Sequence, residues 1–176
     1  MMTGDHGLRQ NQTFMLVIGA QKAGTTWLHR YLSSHDEAYL SPIKEMHFFD
    51  ELFLSDVVKN LPANYYLGWL QKSVASIVSS GGTNRRALGM SQDLLDRVAM
   101  RGNTAKYFEF FRNRCEGEKV CGEITPTYSL LHVEHFQEIR QTHPDVGPIF
   151  ILREPVDRYW LAMRMIARDG STLNAI

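Results

Sequence analysis

Three short stretches of this chain carry residue types that could hold a phosphate-like anion and act on it. The first, Gly19-Ala20-Gln21-Lys22-Ala23-Gly24-Thr25-Thr26, sets two glycines around four residues ahead of a helical pattern. A loop of backbone amides feeding a helix N-terminus is a ready anion site. The spacing is that of a phosphate loop, yet Thr25 stands where a nucleoside triphosphatase has its lysine, and the loop's lysine is Lys22 instead. That displacement argues against ATP or GTP hydrolysis and for a phosphate loop with another task. By itself, a glycine loop is equally a plain strand-to-helix turn. The second stretch, Lys44-Glu45-Met46-His47-Phe48-Phe49-Asp50, sets an ion pair and a histidine ahead of two aromatics. Taken alone it reads as a solvated pair before an aromatic core plug. The third, Leu152-Arg153-Glu154-Pro155-Val156-Asp157-Arg158, offers an arginine whose planar fork can donate twice to one phosphate group. A surface salt bridge is the bland reading of Arg158.

The elements around these stretches must position them. Phe14 to Gly19 is a continuous apolar run, as expected of a strand buried on both faces. Trp27, Leu28, Tyr31 and Leu32 then recur at helical spacing, with Thr25 as the expected N-cap. Pro42 makes the start of the second stretch non-helical. The pattern predicts a helix over 65–78 closed by Gly81-Gly82, a loop over 83–90, and helices over 91–100 and 104–114. It predicts a strand over 120–124 ended by Pro126, a helix over 130–141 and a third buried strand over 148–152. Pro155 suits the first turn of a final helix reaching about residue 167. Strands alternating with helices imply α/β architecture in three layers, a short parallel sheet flanked by helices, with a P-loop-like first strand–loop–helix unit that the resemblance described below makes a nucleotide-binding core. In such sheets ligands bind at the carboxyl ends of the strands, where all three stretches fall.

Composition bounds the function. The 176 residues suit one domain with a real core, and a hydrophobic fraction of 44% with 22% charged is ordinary for a globular protein. Nineteen basic and nineteen acidic side chains balance, so no basic excess points to nucleic acid, and an anionic ligand must be held locally. The longest apolar run, Phe14 to Ala20, is too short to cross a bilayer, and the first twelve residues lack the apolar stretch of a secretory signal. A cytoplasmic protein is expected, with residues 1–12 a flexible N-terminus and Cys115 and Cys121 reduced. No Cys/His spacing suggests a zinc site. The oligomeric state is not encoded in any pattern found here.

The stretch Gln21-Lys22-Ala23-Gly24-Thr25-Thr26-Trp27-Leu28 resembles the 5′-phosphosulfate-binding loop of the sulfotransferases that use 3′-phosphoadenosine-5′-phosphosulfate (PAPS). Lysine, glycine, two hydroxyls and tryptophan fall in register with the family form. The resemblance implies that Lys22 meets the charge on the bridging oxygen, and that Ala23, Gly24, Thr25, Thr26 and Trp27 belong to the donor site. The second stretch is similar to the Lys-Glu-x-x-Phe-Phe segment of the glycosaminoglycan-type and related bacterial branch. There Glu45 would be the general base for a hydroxyl, which is a poor nucleophile until a positioned carboxylate accepts its proton. Lys44 would neutralise sulfuryl oxygens and His47 would line the acceptor side. The third resembles the 3′-phosphate segment, with Arg153 on that phosphate and Arg158 in a secondary role. A fourth, Gly122-Glu123-Ile124-Thr125-Pro126-Thr127-Tyr128, is similar to a cleft-shaping Gly-Glu-x-Ser/Thr-Pro-x-Tyr segment, in which Glu123 would order nearby basic groups.

The resemblance implies transfer of a sulfuryl group from PAPS to a hydroxyl, or an amine, of a carbohydrate or small molecule, without a metal. It covers 13–176 as a sulfotransferase domain. Two departures stand out. Leu161 occupies the place of a family serine eight residues beyond Arg153, and family members continue past Ile176, so the domain is expected to be incomplete at its C-terminal side. Both favour an alternative, a non-catalytic nucleotide-binding remnant. A P-loop kinase is the other rival, and the absence of a lysine at position 25 speaks against it.

Overall fold

A computed structural model describes residues 12–55, 64–143 and 145–169; the expected flexible N-terminus lies, but for Gln12, outside them. β1 (Thr13–Gly19) leads through the glycine loop to α1 (Thr25–Leu32), then β2 (Ala38–Leu40), α2 (Phe48–Phe53), α3 (Asn64–Ser79), α4 (Arg85–Ala99) and α5 (Thr104–Arg112). β3 (Val120–Ile124), a 3-10 turn over Pro126–Leu130, α6 (Val133–Thr142), β4 (Val146–Phe150) and α7 (Pro155–Asp169) follow. The four strands form one parallel sheet in the order β2-β3-β1-β4. Parallel pairing aligns the carboxyl ends of β1, β3 and β4, so the glycine loop, the 126–130 turn and Arg153 meet at one end of the sheet. Among the described residues, no helix is long and apolar enough to cross a membrane.

Successive side chains of β1 point to opposite faces. Phe14 and Leu16 pack with Ile43, Phe48, Phe49, Leu94, Tyr107 and Phe111, while Met15 and Val17 pack with Leu40 and Ile124 under Leu28 and Leu32 of α1. Helices on both faces make the three layers expected. Phe14 meets Tyr107, Phe108 and Phe111 edge-on at 5.9, 5.3 and 4.8 Å, the geometry that ring quadrupoles favour. At Gly122 any Cβ would run into the carbonyl of Met15, so glycine is needed for β3 to seat beside β1.

The structure departs from the sequence reading at five places. Gly24, at φ 101°, is the N-cap of α1, and Thr25 is its first helical residue, because the loop needs a left-handed residue before the helix. α4 takes in most of the expected 83–90 loop: the Asn84 side chain accepts from Ala87 N at 3.0 Å and starts the helix early. α6 begins at Val133, because Leu130, expected as its first residue, instead ends the 3-10 turn. β4 lies two residues earlier than expected and, among the described residues, is an edge strand paired with β1 alone, which leaves both Ile149 and Phe150 exposed. Cys115 and Cys121, expected reduced, are joined in a disulfide with their Cα atoms 6.1 Å apart. The chain turns back after α5, with Cys115 N bonded to Phe111 O, and this return places Cys115 against the strand it then enters.

Candidate active site

The glycine loop leaves β1 beside the end of β4, where Ala20 N donates to Ile151 O at 3.1 Å and Ile151 N to Gly19 O at 2.8 Å. Among the described residues no side chain caps α1, so its first-turn amides, which have no intrahelical partner, face out of the helix end. A Cβ at Gly24 would meet nothing within 4 Å, leaving this approach open. Thr25 is buried and Thr26 exposed. Lys22 sits at φ 63°, Glu45 at φ 66° and His47 at φ 49°. Among the described residues these three are the non-glycine positions with positive φ. Such backbone is unfavourable for an L-residue and persists only where its surroundings hold it.

Glu45 and His47 belong to one turn, entered as Glu45 N bonds to Ile124 O at 3.1 Å and left as His47 caps α2. Lys44 Nζ lies 2.7 Å from Glu45 Oε1, and His47 Nε2 lies 3.5 Å from Glu45 Oε2. On the other side of the ring, His47 Nδ1 is 2.7 Å from Oδ2 of Asp50, a fully buried carboxylate. The imidazole therefore spans two carboxylates. Burial opposes its charge, but the hydrogen bonds to Asp50 and then Glu45 win, raising His47 to about 9. Burial likewise pushes Glu45 up, yet His47 and Lys44 outweigh it and hold the carboxyl at about 2. At neutral pH the group is a carboxylate against an imidazolium. His47 is thus not simply an acceptor-side wall: it is 7% exposed and engaged on both ring nitrogens.

Two clefts meet over this turn. One, of about 550 Å³, is lined by Lys22, Gly24, Thr25, Thr26, Lys44 and Arg153, with Leu161, Arg164 and Arg168 contributed by α7. The other, of about 590 Å³, has Thr127, Ser129, Leu130, Phe150, Leu152 and Arg158 on its walls. Both include Gln21, Glu45, Pro126 and Arg153. Arg153 Nη1 donates to Lys22 O at 3.4 Å, which ties the third sequence stretch to the first. The structure thus brings Lys22, Thr25, Thr26, Lys44, Glu45 and Arg153 together. It leaves Arg158 in the second cleft only, and Ala23, His47 and Trp27 in the lining of neither; the Trp27 ring, 68% exposed, stacks on Tyr31 with centroids 5.4 Å apart.

Sequence reasoning passed over Asp50, Arg164 and Arg168. The α7 pair was detectable: Leu161, Arg164, Met165 and Arg168 repeat at helical spacing, and all four line the first cleft. Glu123, expected to order basic groups, instead accepts from Tyr107 Oη at 2.6 Å, Thr125 Oγ1 at 2.7 Å, Tyr128 Oη at 2.8 Å and Met46 N at 3.3 Å. Burial raises its carboxyl, and those hydroxyls pull it back.

The model of the Sulfotransferase family matches residues 15–175. A crystal structure of a sulfotransferase from Alicyclobacillus acidocaldarius superposes with a TM-score of 0.55 at 25% identity, covering 92% of this chain and 53% of that one. The chain thus spans about half the length of that relative. No curated protein matches the chain. With the family's pattern extending over nearly every residue, and a solved member sharing the fold, this chain belongs to the sulfotransferase family.

Proposed function

We propose that residues 13–176 form the donor-binding domain of a sulfotransferase that moves a sulfuryl group from PAPS to a hydroxyl, or an amine, of a carbohydrate or small-molecule acceptor. One observation carries the reading: the left-handed residues Lys22, Glu45 and His47 belong to two loops facing one basic cleft, whose floor is an uncapped helix N-terminus. PAPS supplies the sulfuryl group, and adenosine 3′,5′-bisphosphate departs as the S–O bond to its phosphate breaks. The α1 amides with Thr25 and Thr26 hold the 5′-phosphate, and Arg153 holds the 3′-phosphate. Lys22 meets the charge growing on the bridging oxygen. Glu45 takes the acceptor's proton as its oxygen bonds to sulfur. His47 and Lys44 together hold Glu45 low, so Lys44 turning from Glu45 to the sulfuryl oxygens would raise the carboxylate's proton affinity as the acceptor's proton arrives. His47, tethered by Asp50, then keeps Glu45 oriented.

One observation favours the non-catalytic alternative: Leu161 lines the donor cleft where the resemblance places a serine. Calorimetric titration with adenosine 3′,5′-bisphosphate, with ATP as control, and transfer of radiolabelled sulfuryl from PAPS to a panel of alcohols separate the readings. Micromolar binding that ATP does not match, together with transfer, supports the enzyme. Binding without transfer leaves the remnant, and no binding by a folded chain defeats both.

A further inference from the structure

The turn that carries Glu45 and His47 has little regular hydrogen bonding of its own, and two buried charged side chains supply what it lacks. From the sheet side, Glu123 and Tyr128 take its amides: Met46 N donates to Glu123 at 3.3 Å, and Phe48 N and Phe49 N donate to Tyr128 Oη at 2.9 and 3.3 Å. From the opposite side comes Arg97 of α4, 1% exposed. Its Nε donates to Met46 O at 2.6 Å, and its Nη2 donates to His47 O at 2.8 Å and to Glu51 Oε2 at 2.7 Å. Tyr66 Oη adds a second donor to Met46 O at 2.5 Å. The guanidinium is flanked by the rings of Tyr66 and Phe48, at 4.9 and 5.8 Å from their centroids.

A buried guanidinium is costly, and a hydrophobic side chain would fill the same space with less penalty. What an apolar residue could not do is grip two successive carbonyls. Those carbonyls define the peptide planes on either side of the His47 Cα, and so the direction in which its ring leaves the backbone at φ 49°. With that direction set, one imidazole reaches both Glu45 and Asp50.

We propose that Arg97 is a positioning residue for the reaction: by clamping the Met46 and His47 carbonyls it holds the turn in the left-handed form that joins Glu45, His47 and Asp50. The proposal rests on the roles given above to Glu45 and His47. Arg97 lines neither cleft, so it acts on the site through the turn it grips. The second cation on its partner, Arg101 on Glu51 at 2.6 Å, lies at the surface and grips no carbonyl of the turn.

The test is titration of the His47 ring by NMR in the full chain, in wild type, Arg97→Met and Arg97→Lys. The charged or titratable groups around that ring are Lys44 and Glu45 on its own turn, Asp50 and Glu51 of α2, Tyr65 of α3 and Arg97 of α4, with the Thr127 hydroxyl beside Nδ1. The sign decides. If Arg97 were only a neighbouring cation, its removal would raise the His47 pKa above about 9. If Arg97 positions the turn, the ring loses its carboxylates and the pKa falls toward the ordinary 6.5. The fall is expected in Arg97→Met and in part in Arg97→Lys, which keeps the charge but not the fork. Binding of adenosine 3′,5′-bisphosphate should change less than about 3-fold while transfer falls about 100-fold, as for a misplaced catalytic group. An unmoved or raised His47 pKa in either folded variant overturns the proposal. Should wild type neither bind the bisphosphate nor transfer, the sulfotransferase reading fails separately, and the titration still decides whether Arg97 orders the turn.

Discussion

The two walls of the site are built in opposite ways. The wall that carries Glu45 and His47 is cross-braced from beneath by buried groups: Asp50 and Glu123 are fully buried, Arg97 is 1% exposed, and each is hydrogen-bonded to the turn or to the ring upon it. The facing wall, with Lys22, Arg153 and α7, is open, and the Arg153 side chain is 38% exposed with its Asp157 partner 4.0 Å away. On the roles proposed for them, a proton acceptor must keep its direction to be useful, whereas phosphate-binding cations gain by remaining accessible until an anion arrives. Changes to the braced wall should therefore damage turnover or stability, and changes to the open wall should damage affinity.

The largest separation is expected from Glu45→Gln, which should cut transfer about 1,000-fold with bisphosphate affinity nearly unchanged, as removal of a general base does; equal losses in rate and affinity would erase the distinction between the walls. On the open side, Arg153→Ala and Lys22→Ala should each weaken bisphosphate binding about 10- to 100-fold by calorimetry, the worth of one charge-assisted hydrogen bond. Thermal unfolding of those two proteins should match wild type. Tyr128→Phe breaks the bracing instead. The lost hydroxyl serves Glu123 and two amides, so the variant should unfold with about 1–3 kcal/mol less stability while retaining bisphosphate binding.

The pH dependence of stability sharpens the contrast further. His47 is raised in the folded state, so its contribution is whole below about 6.5 and is lost as pH rises through about 9. Glu45 is lowered, so its contribution is whole above 4.5 and is lost as pH falls through about 2. Melting curves of wild type and His47→Gln should therefore converge between pH 6.5 and 9. Parallel curves over that range would mean the ring is not held by its carboxylates. The smallest effect is expected from Leu161→Ser, which adds a hydroxyl to the cleft lined by Lys22 and Arg153 and should improve bisphosphate binding by up to about 10-fold.

How legible the site was depended on how local its geometry is. The glycine loop, the Lys44–Asp50 stretch and the Arg153 segment each lie within a few consecutive residues, and parallel α/β topology carries strand ends to one edge whatever the loops do. Arg97 was hidden for a definite reason. It continues the buried stripe Ala87, Ser91, Leu94 of α4, and a charge on a buried stripe is a signal. With residues 83–90 taken as a loop, however, the first turn of that stripe fell outside the helix and the phase was lost. The Asn84 cap would have restored it.

By itself, then, the sequence determined the sulfotransferase pattern, the three-layer parallel architecture and the short segments that meet at the carboxyl ends of the strands, because apolar runs, glycines and helix starts act over neighbouring residues. Tertiary structure alone decided that His47 bridges Glu45 and Asp50, that Arg97 reaches across 50 residues to the His47 carbonyl, that Arg158 and Trp27 stay outside the first cleft, and that Cys115 and Cys121 pair. Each of these depends on where a side chain ends in space once helices have packed on the sheet, and no residue's type or spacing carries that position.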